Sequence, residues 1–515
     1  MDKSFTIPFI FFALFYITCN SASAGTVAKD PAGTGTFSLI HAIKETVKLQ
    51  PEIMLHNESV KSGEGNLTQA RGQFDWKLQT SLEQTRKQTP FSASERGTYN
   101  EPFYMEDLTT YIFGISKQFR SGVSIVPSVQ ATQNTNKTFP ESLPRNDLSI
   151  DFSIIIPLLR GNGYKITATA EFVAQSQLKS IELTLKHKIS ESIYNTALKY
   201  WRYLLKKKEL EIYQTLETRA SQYLSAVARL VEADEKPKSE LEQLKANLAS
   251  KTSSRILAEQ EFFKARYTLG LAMGLSIEMI SDLPDPTDSF PIVKQDLRSN
   301  QFDVQNLMAT AKKNRADLLA LESNVTAAHT ILTKALDNRE PKLDMTIKTG
   351  YSGLGEGDSI SYSDSEGYRV AALFQLEFPV QNSAARGEII NRKSEYNQAV
   401  IRKTSLESNI HSNLIIAIQE LCGSSEVSKI QKKAVSAYNK AVENEKKKYR
   451  FGMSTVTSVF SIEDRLISAQ IQAIRSLQGY ANALINLKYI LGTLLHNQGQ
   501  GYKVDLINLM EIPKM

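Results

Sequence analysis

Six histidines, His41, His56, His187, His329, His411 and His496, are the residues best suited to metal binding or general-base work, and their spacing supports neither. None stands four residues from another with a glutamate between, as a zinc-protease helix requires, and none has a cysteine partner. Each reads as a helix-surface or packing residue. The stretches "GLGEGDS" and "RGNG" lack the Gly-Lys-Ser/Thr ending of a phosphate loop and read as turns. Serines are plentiful, but no G-x-S-x-G elbow stands between a strand and a helix. The expectation is a protein with no catalytic residue, no cofactor and no metal, so the elements themselves must carry the function.

The chain has 515 residues, 41% hydrophobic and 9% aromatic, ample for a packed core. Its net charge of +6 is spread among interspersed acids and bases, which is too dilute for a nucleic-acid footprint. Residues 1–24 read as a cleaved signal peptide, with basic Lys3, an apolar run from Ile7 to Cys19, and Ala22-Ser23-Ala24 before Gly25. That run is too short to span a bilayer as a helix. Lipidation at Cys19 is the minority reading, because Tyr16-Ile17-Thr18 lacks the usual leucine and small residue before the cysteine. After cleavage Cys422 alone remains, which excludes an intramolecular disulfide. No later segment reaches transmembrane-helix length, so a mature chain that enters a membrane must do so as strands.

Two patterns dominate the rest. Ile166 to Glu232 contains neither glycine nor proline and makes a helix of about 100 Å. Glu388 to Tyr449 is nearly as long, interrupted only at Cys422 to Ser425, where a local bend is expected. Ile189, Ile193, Ala197, Tyr200 and Leu204 form a stripe along one face of the first rod. Before each rod lie strands whose apolar residues alternate, with Ile155 as an exception: Trp76, Leu78, Thr80 and Leu82; Leu148, Ile150, Phe152, Ile154 and Ile156; Leu343, Met345, Ile347 and Tyr351; Tyr368, Val370, Ala372, Phe374, Leu376 and Phe378. One face of such strands could meet lipid and the other water. A soluble sandwich has the same dyad pattern. The runs nevertheless approach the 9–11 residues of a transmembrane strand, and loops such as "SGLGEGDSISYSDSEG" hold little to pack. Pro157 and Pro379 mark the strand-to-helix transitions, and Pro237 and Gly452 the turns after the rods.

The pattern occurs twice. Ile53 stands to Leu318 as Leu78 stands to Leu343, and Pro157, Leu244, Tyr267 and Gly270 stand at one offset from Pro379, Leu466, Tyr489 and Gly492. The expected organisation is a segment 25–36, a first repeat over 37–283, a proline-rich linker over 284–300, a second repeat over 301–497 and a tail over 498–515. So few strands cannot close a barrel, and open edges cannot sit in hydrocarbon, so other copies of the chain must complete them.

The segments "NRADLLALESNVTAAHTILTKALDNREPKL", "FQLEFPVQNSAARGEIINRKSEYNQA" and "KYRFGMSTVTSVFSIEDRLISAQIQAIRSLQGYANALINLKYILG" resemble the TolC-like outer-membrane efflux proteins, in family order, and the likeness covers about Phe37 to Leu495. The resemblance implies an α+β membrane protein: a homotrimer whose strands form one outer-membrane β-barrel, continued by a barrel of long helices through the periplasm of a Gram-negative bacterium. It also implies outer-membrane lipid, a periplasmic adaptor and an inner-membrane pump as partners, and a role as the exit duct of a tripartite efflux or type I secretion system. A trimeric adhesin with a coiled-coil stalk is the alternative, but its anchor would be expected at one end, whereas here helices bracket strands in both halves. Two departures stand out. "LTTYIFGISKQF" and "SGVSIVPSVQATQ" form an extra strand pair in the first half, so either the trimer exceeds the family's usual twelve strands or this hairpin lies outside the membrane. At the turn after Gly452, where the family often places channel-narrowing aspartates, stand Ser458 and Ser461, with Glu463 and Asp464 beyond. These four are the candidate periplasmic gate.

Overall fold

The computed structural model describes residues 37–99, 101–139, 143–234, 237–293, 297–357, 365–498 and 501–504. The expected signal peptide with Cys19, the segment 25–36 and residues 505–515 of the tail lie outside them. Helices α1 (Leu39–Leu49) and α2 (Pro51–Arg71) lead into strand β1 (Lys77–Pro90), short helix α3 (Ala93–Tyr99), and strands β2 (Phe103–Gln118), β3 (Ser124–Asn136) and β4 (Arg145–Pro157). There follow α4 (Tyr164–Thr167), the rod α5 (Thr169–Glu232), the return helix α6 (Lys238–Met273) and α7 (Ile277–Ser281). The remainder holds α8 (Val304–Asn314), α9 (Ala316–Asp337), strands β5 (Lys342–Glu356) and β6 (Ser365–Glu377), the rod α10 (Ser383–Arg450), the return helix α11 (Val456–Leu491) and the hairpin β7 (Leu495–Gln498) and β8 (Gly501–Val504). The expected boundary at 497 therefore falls inside β7. The chain is α+β, and no helix among the described residues is long and apolar enough to cross a membrane.

The 64 residues of α5 and 68 of α10 extend about 95–100 Å. The second rod runs unbroken through Gly423, so the interruption expected at Cys422 to Ser425 does not end the helix. Leu421 and Ser425 are buried there, and that packing holds a segment whose composition alone is a weak helix former. The stripe Ile189, Ile193, Ala197, Tyr200 and Leu204 is buried in a core that α5 forms with α1, α6 and α11, with Trp201 and Tyr203 beside it. A second core joins α8, α9 and α10 to α11 through Leu414, Leu421, Leu484 and Leu491.

Both return helices end at a left-handed glycine, Gly274 (φ 77°) and Gly492 (φ 68°). The return helix α6 runs through Gly270, which the sequence pattern had set against Gly492, and Ile280 of α7 packs onto the bare Gly270 backbone. Gly274 abuts the backbone of Leu49 and Gln50, and Gly492 that of Asn314 and Arg315. These are the breaks between α1 and α2 and between α8 and α9, where Gln50 and Arg315 share one extended conformation. The proline-rich stretch after α7 is packed down: Asp288 accepts from the Leu39 N–H at 2.7 Å and from the Tyr200 hydroxyl at 2.8 Å.

Strands β1 to β6 form one antiparallel sheet in chain order. The registers place Leu78 and Leu82 of β1, Tyr111, Phe113 and Ile115 of β2, Ile125 and Val129 of β3, Ile150, Phe152 and Ile154 of β4, Met345 and Ile347 of β5, and Val370, Phe374 and Leu376 of β6 on the same face. The opposite face carries Gln79 and Ser81, Ser128 and Gln130, Asp151 and Ser153, Lys348, Arg369 and Gln375, with Leu108, Ile112, Val126, Ile155 and Leu373 among its apolar exceptions. Leu82, Phe113, Ile150 and Phe374 are exposed although apolar, the reverse of a sandwich core.

Candidate functional site

The apolar face has a definite height. On β4, β5 and β6 it runs from Leu148 to Ile156, Leu343 to Tyr351 and Tyr368 to Leu376, about nine residues each, which at a 35–45° tilt is about 23 Å. Aromatic residues edge it at both ends. Tyr111, Tyr351 and Tyr368 stand away from the helices, and Trp76, Phe119 and Phe378 stand near them, all exposed. The Lys117 ammonium lies 4.8 Å from the Trp76 ring centre and 5.7 Å from that of Phe119. An apolar band of this height between aromatic girdles matches the hydrocarbon core of an outer membrane.

The junction of sheet and rods is built around the prolines. Pro157 ends β4 and Pro379 follows β6 by two residues, each where the chain leaves the ladder. After Pro379 the chain turns through Asn382 (φ 46°), whose side-chain amide donates to the Arg339 carbonyl at 2.9 Å. Here the turn between β2 and β3 docks. Arg120 donates to Glu171 at the start of α5 through Nε at 2.8 Å and Nη2 at 3.2 Å, and Arg71 at the end of α2 donates to the same carboxylate at 3.1 Å. The Arg120 guanidinium holds the Glu171 carboxyl below its ordinary range, burial opposing and Arg71 assisting. Gly122 (φ 98°) packs against the Gly161 carbonyl and the Pro157 ring, where a Cβ would not fit.

At the far end of the rods, Pro237 caps the start of α6, and Gly452 (φ 72°) turns the chain between α10 and α11. Thr455 caps α11 by accepting from the Ser458 N–H, and the two hydroxyls lie 3.0 Å apart. Ser461 and Asp464 line an open groove of about 900 Å³ together with Gln243 and Asn247 of α6 and Gln431 and Tyr438 of α10. Asp464 is ion-paired with Lys251 of α6. Glu463 points elsewhere, 2.6 Å from Lys446 of α10, whose ammonium also lies 5.6 Å from the Tyr223 ring centre on α5. Burial pulls the Lys446 pKa down, but Glu463 outweighs it and holds the lysine charged. Both acids among the four candidate residues thus face a lysine on a neighbouring helix. Lys251 and Lys446 were not legible as partners, because they lie on helices that meet only in the fold.

A polar cluster that the sequence reading also missed sits inside the helix bundle. Arg315 forks onto Asp317 at 2.9 and 2.6 Å and stands 5.5 Å from the Tyr489 ring centre, with His187 Nδ1 3.9 Å from the same carboxylate. Burial pushes the His187 pKa below its ordinary value, and the Tyr489 hydroxyl up to about 12. Its signal was the "NRAD" at a helix start, where an arginine and an aspartate two apart have the reach to pair.

A sheet with a membrane-high apolar band, standing on rods of about 100 Å, is the fold of TolC-like outer-membrane channels. Solved structures that share it include the outer-membrane channel OprN (13% identity, TM-score 0.64, covering 93% of this chain and 98% of that one). Others are the outer-membrane protein VceC of Vibrio cholerae (14%, 0.64, 88% and 96%) and the CmeC outer-membrane channel of Campylobacter jejuni (13%, 0.63, 91% and 91%). No family model and no curated protein sequence matches the chain.

Proposed function

We propose that the protein is an outer-membrane exit duct: a homotrimer whose sheets close one β-barrel and whose rods form a periplasmic conduit, through which cargo handed over by an inner-membrane pump and a periplasmic adaptor leaves the cell. The observation that carries this reading is the pair of unpartnered edges. Among the described residues strands β1 and β6 bound the sheet, each with one side of its ladder open, while the apolar face requires hydrocarbon around it. Unpaired backbone groups cost several kcal/mol each in lipid, so the edges must meet those of neighbouring copies. β1 and β6 run in opposite directions, so β6 of one copy meets β1 of the next as an antiparallel pair. The outer-membrane channels that share the fold support the same reading.

The two halves, 37–283 and 301–497, then act as repeats that alternate around the conduit. The like seats of Gly274 on Leu49–Gln50 and of Gly492 on Asn314–Arg315 favour that arrangement. Ser458, Ser461, Glu463 and Asp464 form the gate at the periplasmic mouth, where a trimer repeats each side chain three times around the axis. Fractionation tests the placement: the mature chain should begin near Gly25 and sediment with the outer membrane, and recovery as a soluble periplasmic protein would overturn the reading.

A further inference from the structure

The extra hairpin β2–β3 joins the sheet through both of its edges. β2 is paired with β1 from Lys77↔Ser116 to Pro90↔Phe103, and β3 with β4 from Ser124↔Ile155 to Asn134↔Arg145. Among the described residues no strand other than β2 pairs with β1, so lifting the hairpin out of the membrane would open the ladder on both sides and separate β1 from β4. Its outward residues continue the apolar band: Tyr111 and Phe113 lie between Leu82 and Val129, and Val129 leads on to Ile150. The hairpin supplies a residue to each girdle, Tyr111 at one end and Phe119 at the other. Its turn is held at the sheet–rod junction by the Arg120–Glu171 fork and by the close seat of Gly122 against Gly161 and Pro157. The opposite face of β3 is polar through Ser128, Gln130, Thr132 and Asn134, as a water-filled interior demands.

We infer that the β2–β3 hairpin spans the outer membrane as part of the barrel wall, so that each chain supplies six strands and the trimer closes an eighteen-stranded barrel. This rests on the trimeric-duct reading and adds the size of the exit. Barrel diameter grows about linearly with strand number, so eighteen strands make a mouth about 1.5 times as wide as the twelve that four strands per chain would give. Barrels of that size leave an aqueous channel.

The test uses the full-length trimer with Cys422→Ser, purified, reconstituted in lipid vesicles and carrying one nitroxide label at a time. Labels go on Phe113→Cys and Val129→Cys, facing outward on the hairpin, and on Ser128→Cys, facing inward. Phe374→Cys and Gln375→Cys on β6 are the outward and inward references. Only variants that purify as the same oligomer as the parent are scored. Labels at 113 and 129 should collide with oxygen and lose collisions with a water-soluble nickel chelate as fully as the label at 374, while those at 128 and 375 gain nickel collisions. Nickel-accessible labels at both 113 and 129 beside a protected 374 would place the hairpin outside the bilayer and overturn the inference while leaving the duct intact. A nickel-accessible 374 would overturn the membrane barrel itself, and the strand count with it.

Discussion

Arg120, in the turn between β2 and β3, is joined by a two-pronged ion pair to Glu171 in the first turn of α5, which ties the extra hairpin to the base of the rod. A planar guanidinium fits a carboxylate in a way that an ammonium cannot. Arg120→Ala should therefore raise amide hydrogen exchange across residues 119–123, and Arg120→Lys should restore protection only in part. The pH dependence follows from the sign of the Glu171 shift. Its folded pKa lies below the ordinary 4.5, so the ion pair contributes fully above that value and is lost as pH falls through the lowered folded pKa. Exchange in the turn should rise with acid only below about pH 4.5 in the parent, and Glu171→Gln should abolish that acid step.

Three glycines with positive φ separate backbone strain from crowding. Gly452 has open space where a Cβ would go, so Gly452→Ala should cost only the left-handed conformation, about 1–2 kcal/mol. Gly274→Ala and Gly492→Ala meet the same strain, and in addition the new Cβ runs into the backbone of Leu49 and of Asn314. Both should destabilise clearly more than Gly452→Ala, read as midpoints of thermal unfolding in detergent. Equal losses at all three positions would show that the seats of the return helices yield easily.

Much of this was legible in the sequence where one face of a strand is apolar and the other polar. Leu148 to Ile156 and Tyr368 to Leu376 alternate, and their registers put the alternate residues on one face. Legibility stops where that alternation ends. β1 continues from Gln84 to Pro90 and β2 begins at Phe103, stretches whose pattern gives no cue because apolar and polar residues do not alternate there. The first rod was visible through its lack of glycine and proline, the second through a stretch from Glu388 to Tyr449 with Gly423 as its one such residue, and Pro157 and Pro379 through their missing N–H. Lys251 and Lys446 beside the candidate gate acids, and the ion pair of Asp151 with Arg369 over the bare Gly350 of β5, depend on which helices and strands become neighbours. No local pattern encodes that adjacency.

At the proposed gate the lysine pairing gives selectivity a sign. If the pairs line the conduit, Lys446→Met and Lys251→Met leave three unmasked carboxylates around the axis and should increase cation preference in single-channel recordings. Glu463→Gln and Asp464→Asn leave three lysines and should decrease it, whereas Ser458→Asp should increase it. Selectivity unchanged in all five variants would place the constriction elsewhere.

Depth in the bilayer grades the cost of charge on the apolar face. Ala372, outward on β6 and midway along the band, should cost about 2–4 kcal/mol as Ala372→Lys, and Phe374→Lys should approach that range from below. Phe378→Lys, at the helix-side girdle, should cost no more than about 1 kcal/mol. Equilibrium refolding into lipid vesicles measures all three, and a cost that does not fall toward the girdle would contradict the placement of the band.

The central claim is that this chain's open sheet edges are closed by two further copies. Native mass spectrometry of the full-length protein, extracted from outer membranes in mild detergent, tests it most directly. The account predicts a trimer with no folded monomer, because an isolated chain would leave the edges of β1 and β6 bare. A folded, stable monomer under those conditions would contradict it.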